Sequence, residues 1–218
     1  MALEIGIGIS IQKNNILALK TSIERAMEQV PNPKGALMFT SINFTKEQIR
    51  DTLTNILPNI PFAGCSSFSE ISNIAVSQKS VLTVLFGDDS FEFVSTHVPY
   101  SENGHNTGVI AGKEHAKKLV NFSPDCLYTT IALCGDGKLE GIDYLNGITD
   151  GLEKAIALSG GNAALFSDIL EEIELQSGYI FNMNECFTDG IGLFTIVEKE
   201  PNSCKICYSF ESSWTPVA

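Results

Sequence analysis

The sequence predicts an α/β domain: a mixed β-sheet with helical crossovers, made of two pseudo-repeats. Three observations predict it. Apolar segments of strand character alternate with amphipathic helical segments along the chain. The order strand, helix, strand, helix, strand, small-residue turn, strands occurs twice. The turn itself recurs, as Gly64-Cys65-Ser66-Ser67-Phe68-Ser69-Glu70-Ile71 and then as Gly160-Gly161-Asn162-Ala163-Ala164-Leu165-Phe166-Ser167-Asp168. Such recurrence of order and landmark is the mark of an internal duplication. The repeats are expected at about 3–89 and 90–198 within a single domain of 218 residues. A layered α/β/β/α arrangement is one that this order allows.

Each element follows from its residues. From Leu3 to Ser10 the isoleucines alternate with Gly6 and Gly8, a strand with one face open to another backbone. Ile16, Leu19, Ile23, Met27 and Val30 recur at helical spacing, and Pro31 and Pro33 stop that helix. Ala36 to Phe39 is a short strand. Thr45-Lys46-Glu47-Gln48 has the form of a capping box, so a helix starts there, with Ile49, Leu53 and Leu57 on its buried face. Ile60 to Ala63 is a strand delivering the chain to the Gly64 turn, and the apolar run Val81–Phe86 is a buried strand. The second half restarts with a strand at Phe91–Val98 and a helix at Thr107–Val120, weakened by Gly108 and Gly112. Tyr128–Leu133 is a strand that exits through Cys134-Gly135-Asp136-Gly137. Ile142, Leu145, Ile148 and Leu152 mark a helix, and Ala155–Leu158 a strand ending at the Gly160 turn. Ser177–Met183 and Gly190–Val197 read as strands. Helices of this length act as crossovers, so neighbouring strands are expected to be largely parallel, with antiparallel strands late in each half. Residues 203–218 read as the start of a further unit that is cut short.

Composition excludes some functions. With 14 basic against 26 acidic residues, the net charge of −12 repels phosphate backbones and argues against a nucleic-acid partner. No apolar run reaches the ~20 residues that span a bilayer, so no membrane partner is expected. The N-terminal residues lack the basic and apolar regions of a signal peptide, and the six cysteines read as reduced thiols, so a cytoplasmic location is expected.

The chemistry-bearing candidates lie at strand ends. In the turn Gly64, Cys65, Ser66 and Ser67, glycine exposes backbone N–H groups and the serines add donors, a pattern suited to an anion such as a carboxylate. Gly160, Gly161 and Asn162 are the matching half, and Asp136 lines the same crevice, since ligands of α/β sheets sit beyond the carboxyl ends of strands. The plain alternative for each is a closed, internally bonded turn. Catalysis is not expected. Gly64-Cys65-Ser66 lacks the second glycine of a nucleophile elbow, and no histidine is tied to it by sequence. Cys204-x-x-Cys207 lies on a strand, where residues three apart face opposite ways, so no metal site is expected. His97 faces the same way as Phe91 and Phe93, His105 is in a loop, and His115 is on a helix surface.

The ordered set of turns resembles the FIST N-terminal domain. Gly64, Cys65, Ser66, Ser67 and Glu70 match one turn of that family, and Gly160, Gly161, Asn162 and Ala163 the other, with Asp168 nearby. The resemblance runs from about residue 4 to the end, without the C-terminal FIST domain that usually follows a junction like Ser213-Trp214-Thr215-Pro216. It implies a non-enzymatic sensory domain whose ligand is a small molecule, such as an amino acid or other small carboxylate. The ligand contacts would be the matched turn residues, Glu70 included. It implies an output partner such as a histidine kinase or cyclase. No cofactor is expected; the resemblance offers one alternative, a haem-based nitric-oxide sensor with His97 or His105 as axial ligand, and a protein-interaction scaffold is another.

Overall fold

The computed structural model describes residues 3–42, 44–72, 76–135, 140–153, 156–163, 178–182 and 185–199. In chain order the elements are β1 (Glu4–Ser10), α1 (Asn15–Met27), β2 (Gly35–Thr40), α2 (Lys46–Ile56), β3 (Phe62–Ser66), β4 (Glu70–Ile71), β5 (Val76–Ser77) and β6 (Val81–Gly87). They continue with β7 (Phe91–Pro99), α3 (Gly104–Leu119), β8 (Leu127–Cys134), α4 (Gly141–Leu152), β9 (Ala157–Asn162), β10 (Ile180–Phe181), β11 (Cys186–Phe187) and β12 (Gly190–Glu198). The fold is α/β with mixed sheets, as the alternation predicts.

Sheet one has the order β1-β6-β2-β3-β10-β11, sheet two β7-β12-β8-β9, and β4-β5 form a small ribbon. The first four strands of sheet one pair antiparallel, antiparallel and parallel. Sheet two pairs in the same sequence of senses. The expectation of largely parallel neighbours is corrected: only β2–β3 and β8–β9 are parallel. The crossover helices do leave β1 and β2 pointing the same way, but β6 returns antiparallel and slots between them.

Side-chain alternation sets the layers. On β2, Ala36 and Met38 face α1 and α2 in a core with Leu19, Ile23, Ile49 and Leu53, while Leu37 faces the other sheet. On β8, Ala132 and Cys134 face α4 residues Tyr144 and Ile148, while Leu133 faces inward. The order through the molecule is therefore helices, sheet one, sheet two, helices. Between the sheets, Phe86 of β6 stacks with Phe93 of β7 and Phe194 of β12 at centroid distances of 5.5 and 5.7 Å. Aromatic pairs of this kind add ~0.5–1.5 kcal/mol each beyond their burial.

The helices start where the sequence says. Thr45 and Gln48 form the predicted capping box, and Asn14 and Asn103 cap α1 and α3 by accepting from Leu17 and Asn106 N–H. The glycines that weaken α3 as an isolated helix have a tertiary purpose. A Cβ on Gly108 would fall 2.4 Å from the Tyr144 carbonyl oxygen, and one on Gly112 would fall 2.6 Å from that of Ile148. Gly147 and Gly151 of α4 meet α3 in the same way, so the two helices touch backbone to backbone.

Candidate functional site

The first predicted turn is a strand. Gly64, Cys65 and Ser66 lie inside β3, every residue of which is buried, so the expected Ile60–Ala63 strand shifts toward the turn. Ser66 is spent on β10's approach: its N–H donates to the Tyr179 carbonyl, and its hydroxyl accepts from Tyr179 N–H, both at 2.8 Å. Ser67 N–H donates to the Thr40 carbonyl at 2.8 Å. Burial pushes the Cys65 thiol up to about 12, with Cys134 and Glu70 adding to the effect.

Glu70 is 1% exposed and closes this end of sheet one. Ser41 donates to its carboxylate at 2.7 Å and Ser67 at 2.5 Å, and Ser80 also donates to it. Ser80 N–H donates in turn to the Ser41 hydroxyl at 3.1 Å. The carboxylate therefore ties the end of β2, the end of β3 and the start of β6 into one hub. The donors expected to face a ligand are used within the fold.

The second copy is built differently. Gly160, Gly161 and Asn162 belong to β9, which is exposed along most of its length and has no strand on its outer edge among the described residues. Gly160 has φ +154°, and a Cβ there would fall 1.9 Å from the Ala132 carbonyl oxygen. Gly161 has open space where a Cβ would point, and the Asn162 side chain lies over Gly141 at the start of α4. Ala163 N–H donates to the Cys134 carbonyl at 2.7 Å, which ends the strand beside the exit of β8. Asp136, Asp168, the Cys204–Cys207 pair and the chain's last unit lie outside the described residues.

Beside this open turn stands a set that sequence reasoning missed. Glu140 is the N-cap residue of α4 and makes no side-chain cap bond. Tyr144, one helical turn on, is 0% exposed. Asp189 sits in the β11–β12 turn, where its carbonyl accepts from Tyr100 N–H at 3.2 Å. The Tyr100 hydroxyl reaches Glu140 Oε1 at 3.4 Å. Glu140 Oε2, the Tyr144 hydroxyl and Asp189 Oδ1 are buried and have no hydrogen-bond partner among the described residues. Burial raises the Tyr144 phenol, and the charges of Asp189 and Glu140 raise it further, which places the hydroxyl in the field of both carboxylates. A tyrosine on the apolar face of a predicted helix reads as core, so no sequence signal singled it out.

The histidines part from expectation. His115 is fully buried rather than on a helix surface. Its Nδ1 pairs with Thr96 at 2.8 Å and its Nε2 with Thr195 at 2.6 Å, and Thr195 meets Thr130 at 2.6 Å. Burial lowers His115 to about 4, and Lys118 lowers it further. His105 is in the first turn of α3, not a loop, and pairs with Asp150 at 2.9 Å. His97 faces between the sheets and is lowered to about 4 by burial, then by Lys118 and His115. It lines a cleft of about 300 Å³ with Ile60, Phe62, Ser95, Lys118 and Asn182. A haem needs an axial donor set in an apolar slot. His115 has both nitrogens engaged, His105 is half exposed and paired, and the cleft at His97 is small and mostly polar, so the residues present do not fit that group.

A family model, the FIST N domain, matches residues 35–218. The chain belongs to the FIST N domain family. Among solved structures, this FIST domain is similar to a crystal structure of cyanuric acid hydrolase from A. caulinodans, with 9% identity, 92% of this chain and 71% of that chain covered, and a TM-score of 0.40. No curated protein matches.

The FIST domain thus has two unlike strand-end sites. That of sheet one is closed by its own hydroxyls. That of sheet two keeps buried polar groups unmatched and has an exposed strand beside it. Cys134, at the same end of β8, is pushed up to about 12 by burial, so neither it nor Cys65 offers a thiolate near neutral pH. Among the described residues no cluster of His, Cys, Asp and Glu could hold a metal, and no helix is long and apolar enough to cross a membrane.

Proposed function

We propose that this chain is a non-enzymatic, small-ligand-sensing domain of a bacterial-type signalling system, acting in the cytoplasm. FIST domains form a sensory family, and the match covers most of the chain. The observation that carries the location is the trio of buried, unpartnered polar atoms on Glu140, Tyr144 and Asp189 at the carboxyl end of sheet two. Native folds leave few such groups unmatched, and a cluster of them is where a bound molecule would complete the bonding. Gly160, Gly161 and Asn162 flank that end and are retained as ligand contacts. Glu70, Ser66 and Ser67 act as the frame of sheet one.

The ligand is a small metabolite such as an amino acid or another molecule bearing a carboxylate. Binding would clamp the start of α4 to the β11–β12 turn. Because α4 lies backbone to backbone on α3, the pair would shift as one body and present the change to a separate partner such as a histidine kinase or cyclase. The test is thermal unfolding of the intact chain against a broad set of amino acids and small carboxylates. A ligand that binds only the folded state raises the melting temperature in a concentration-dependent way. A flat response across the set rejects this reading.

A further inference from the structure

We infer that the site formed by Glu140, Tyr144 and Asp189 takes a small organic ammonium ion. This rests on the ligand-sensing reading of the same site and adds the charge and valence of the group that is bound.

The first argument is the contrast with Glu70. There the fold buries a carboxylate and supplies three serine hydroxyls to it. At Glu140 and Asp189 it buries two carboxylate oxygens and supplies none. No ion pair reaches either residue among the described residues. Two uncompensated carboxylates at one end of one sheet repel each other, and a buried charge is retained where a counter-charge arrives.

The second argument is the phenol. The Tyr144 hydroxyl is fully buried and lies in the field of both carboxylates, yet it hydrogen-bonds to neither. The three polar atoms therefore surround a gap rather than closing on one another. Each offers an acceptor oxygen, and a primary ammonium carries three N–H donors. A bare carboxylate would meet two negative groups there. A multivalent metal would need more anionic ligands than the two described here.

The experiment measures thermal unfolding and calorimetric binding of the intact chain with ethylamine, ethanolamine and glycine. Propionate and ethylene glycol serve as anionic and neutral controls, and calcium, magnesium and potassium chlorides as metal controls. An amine is expected to raise the melting temperature, with affinity falling at least tenfold in Glu140→Gln and in Asp189→Asn. The ligand-free variants are expected to melt at or above the wild-type temperature, because each removes an unmatched charge. If propionate or a metal ion stabilises the chain and the amines do not, the inference fails while the sensing reading stands. If ligand-free Glu140→Gln and Asp189→Asn both melt well below wild type, the carboxylates were already satisfied, by ordered water or by a proton, and the inference fails whatever binds. If no compound binds, the inference and the sensing reading both lose their support.

Discussion

Gly64 of β3 and Phe181 of β10 are cross-strand partners, and the phenylalanine ring occupies the space that a side chain on Gly64 would need. A Cβ there would lie 2.5 Å from the ring. The same ring packs against Phe62 and Tyr179 at centroid distances of 5.8 Å. The glycine that looks like a turn residue in the sequence is thus a seat for an aromatic ring from the other half of the chain.

Gly64→Ala is therefore expected to destabilise the protein by about 1–3 kcal/mol, the usual cost of overpacking a closed core. Phe181→Leu alone removes ring contacts and also costs stability, but the double variant should lose less than the two single effects summed. Urea unfolding of all four proteins measures this. Strict additivity would mean that the ring does not depend on the missing Cβ.

Glu70→Ala leaves the hydroxyls of Ser41, Ser67 and Ser80 without their acceptor. At about 1–3 kcal/mol for each buried group left unmatched, a loss above roughly 2 kcal/mol is expected. Glu70→Gln keeps the shape and one acceptor oxygen and should fall between that variant and wild type. Chemical unfolding checks the order, and a Glu70→Ala protein as stable as wild type would show that the hub is not structural.

The buried imidazole of His115 gives stability a pH dependence. It titrates near 6.5 when unfolded and near 4 when folded, so the folded state holds the neutral form. Its contribution, on the order of 3 kcal/mol, is complete above pH 6.5 and is lost as pH falls through about 4, with roughly 2 kcal/mol gone by pH 5. His97 acts in the same direction. Urea midpoints of wild type and His115→Gln at pH 7, 6 and 5 test this, with the variant expected to have the shallower slope. Equal slopes would mean that His115 is not held neutral.

Gly108→Ala separates helix propensity from packing. On an exposed helix the change gains about 1 kcal/mol. Here the new Cβ would sit 2.4 Å from the Tyr144 carbonyl oxygen and 2.8 Å from Gly147 Cα, so a net loss of about 1–3 kcal/mol is expected. Thermal unfolding reads the sign directly. A rise in melting temperature would show that α3 and α4 can part without cost.

Local pattern was enough for most elements. The isoleucine and glycine alternation of β1, the Thr45–Gln48 capping box and the apolar run of β6 carry their structure within a few residues of sequence. The twofold succession of strand and helix, and with it the α/β class, follows from that local information. So do the β-strand and helix positions, to within a few residues. Pairing does not. That β6 lies between β1 and β2, and that β10 joins the sheet of the first half, depends on contacts between residues far apart in sequence. Those contacts leave no periodic trace. The same limit governed the sites. The Gly64 and Gly160 turns look alike as strings. Tertiary packing filled one with Phe181 and Tyr179 and left the other on an open strand edge. Glu140, Tyr144 and Asp189 come from a helix start, a helix face and a hairpin turn, and only the packing of sheet two brings their unmatched oxygens together, because burial and charge proximity are properties of the folded chain.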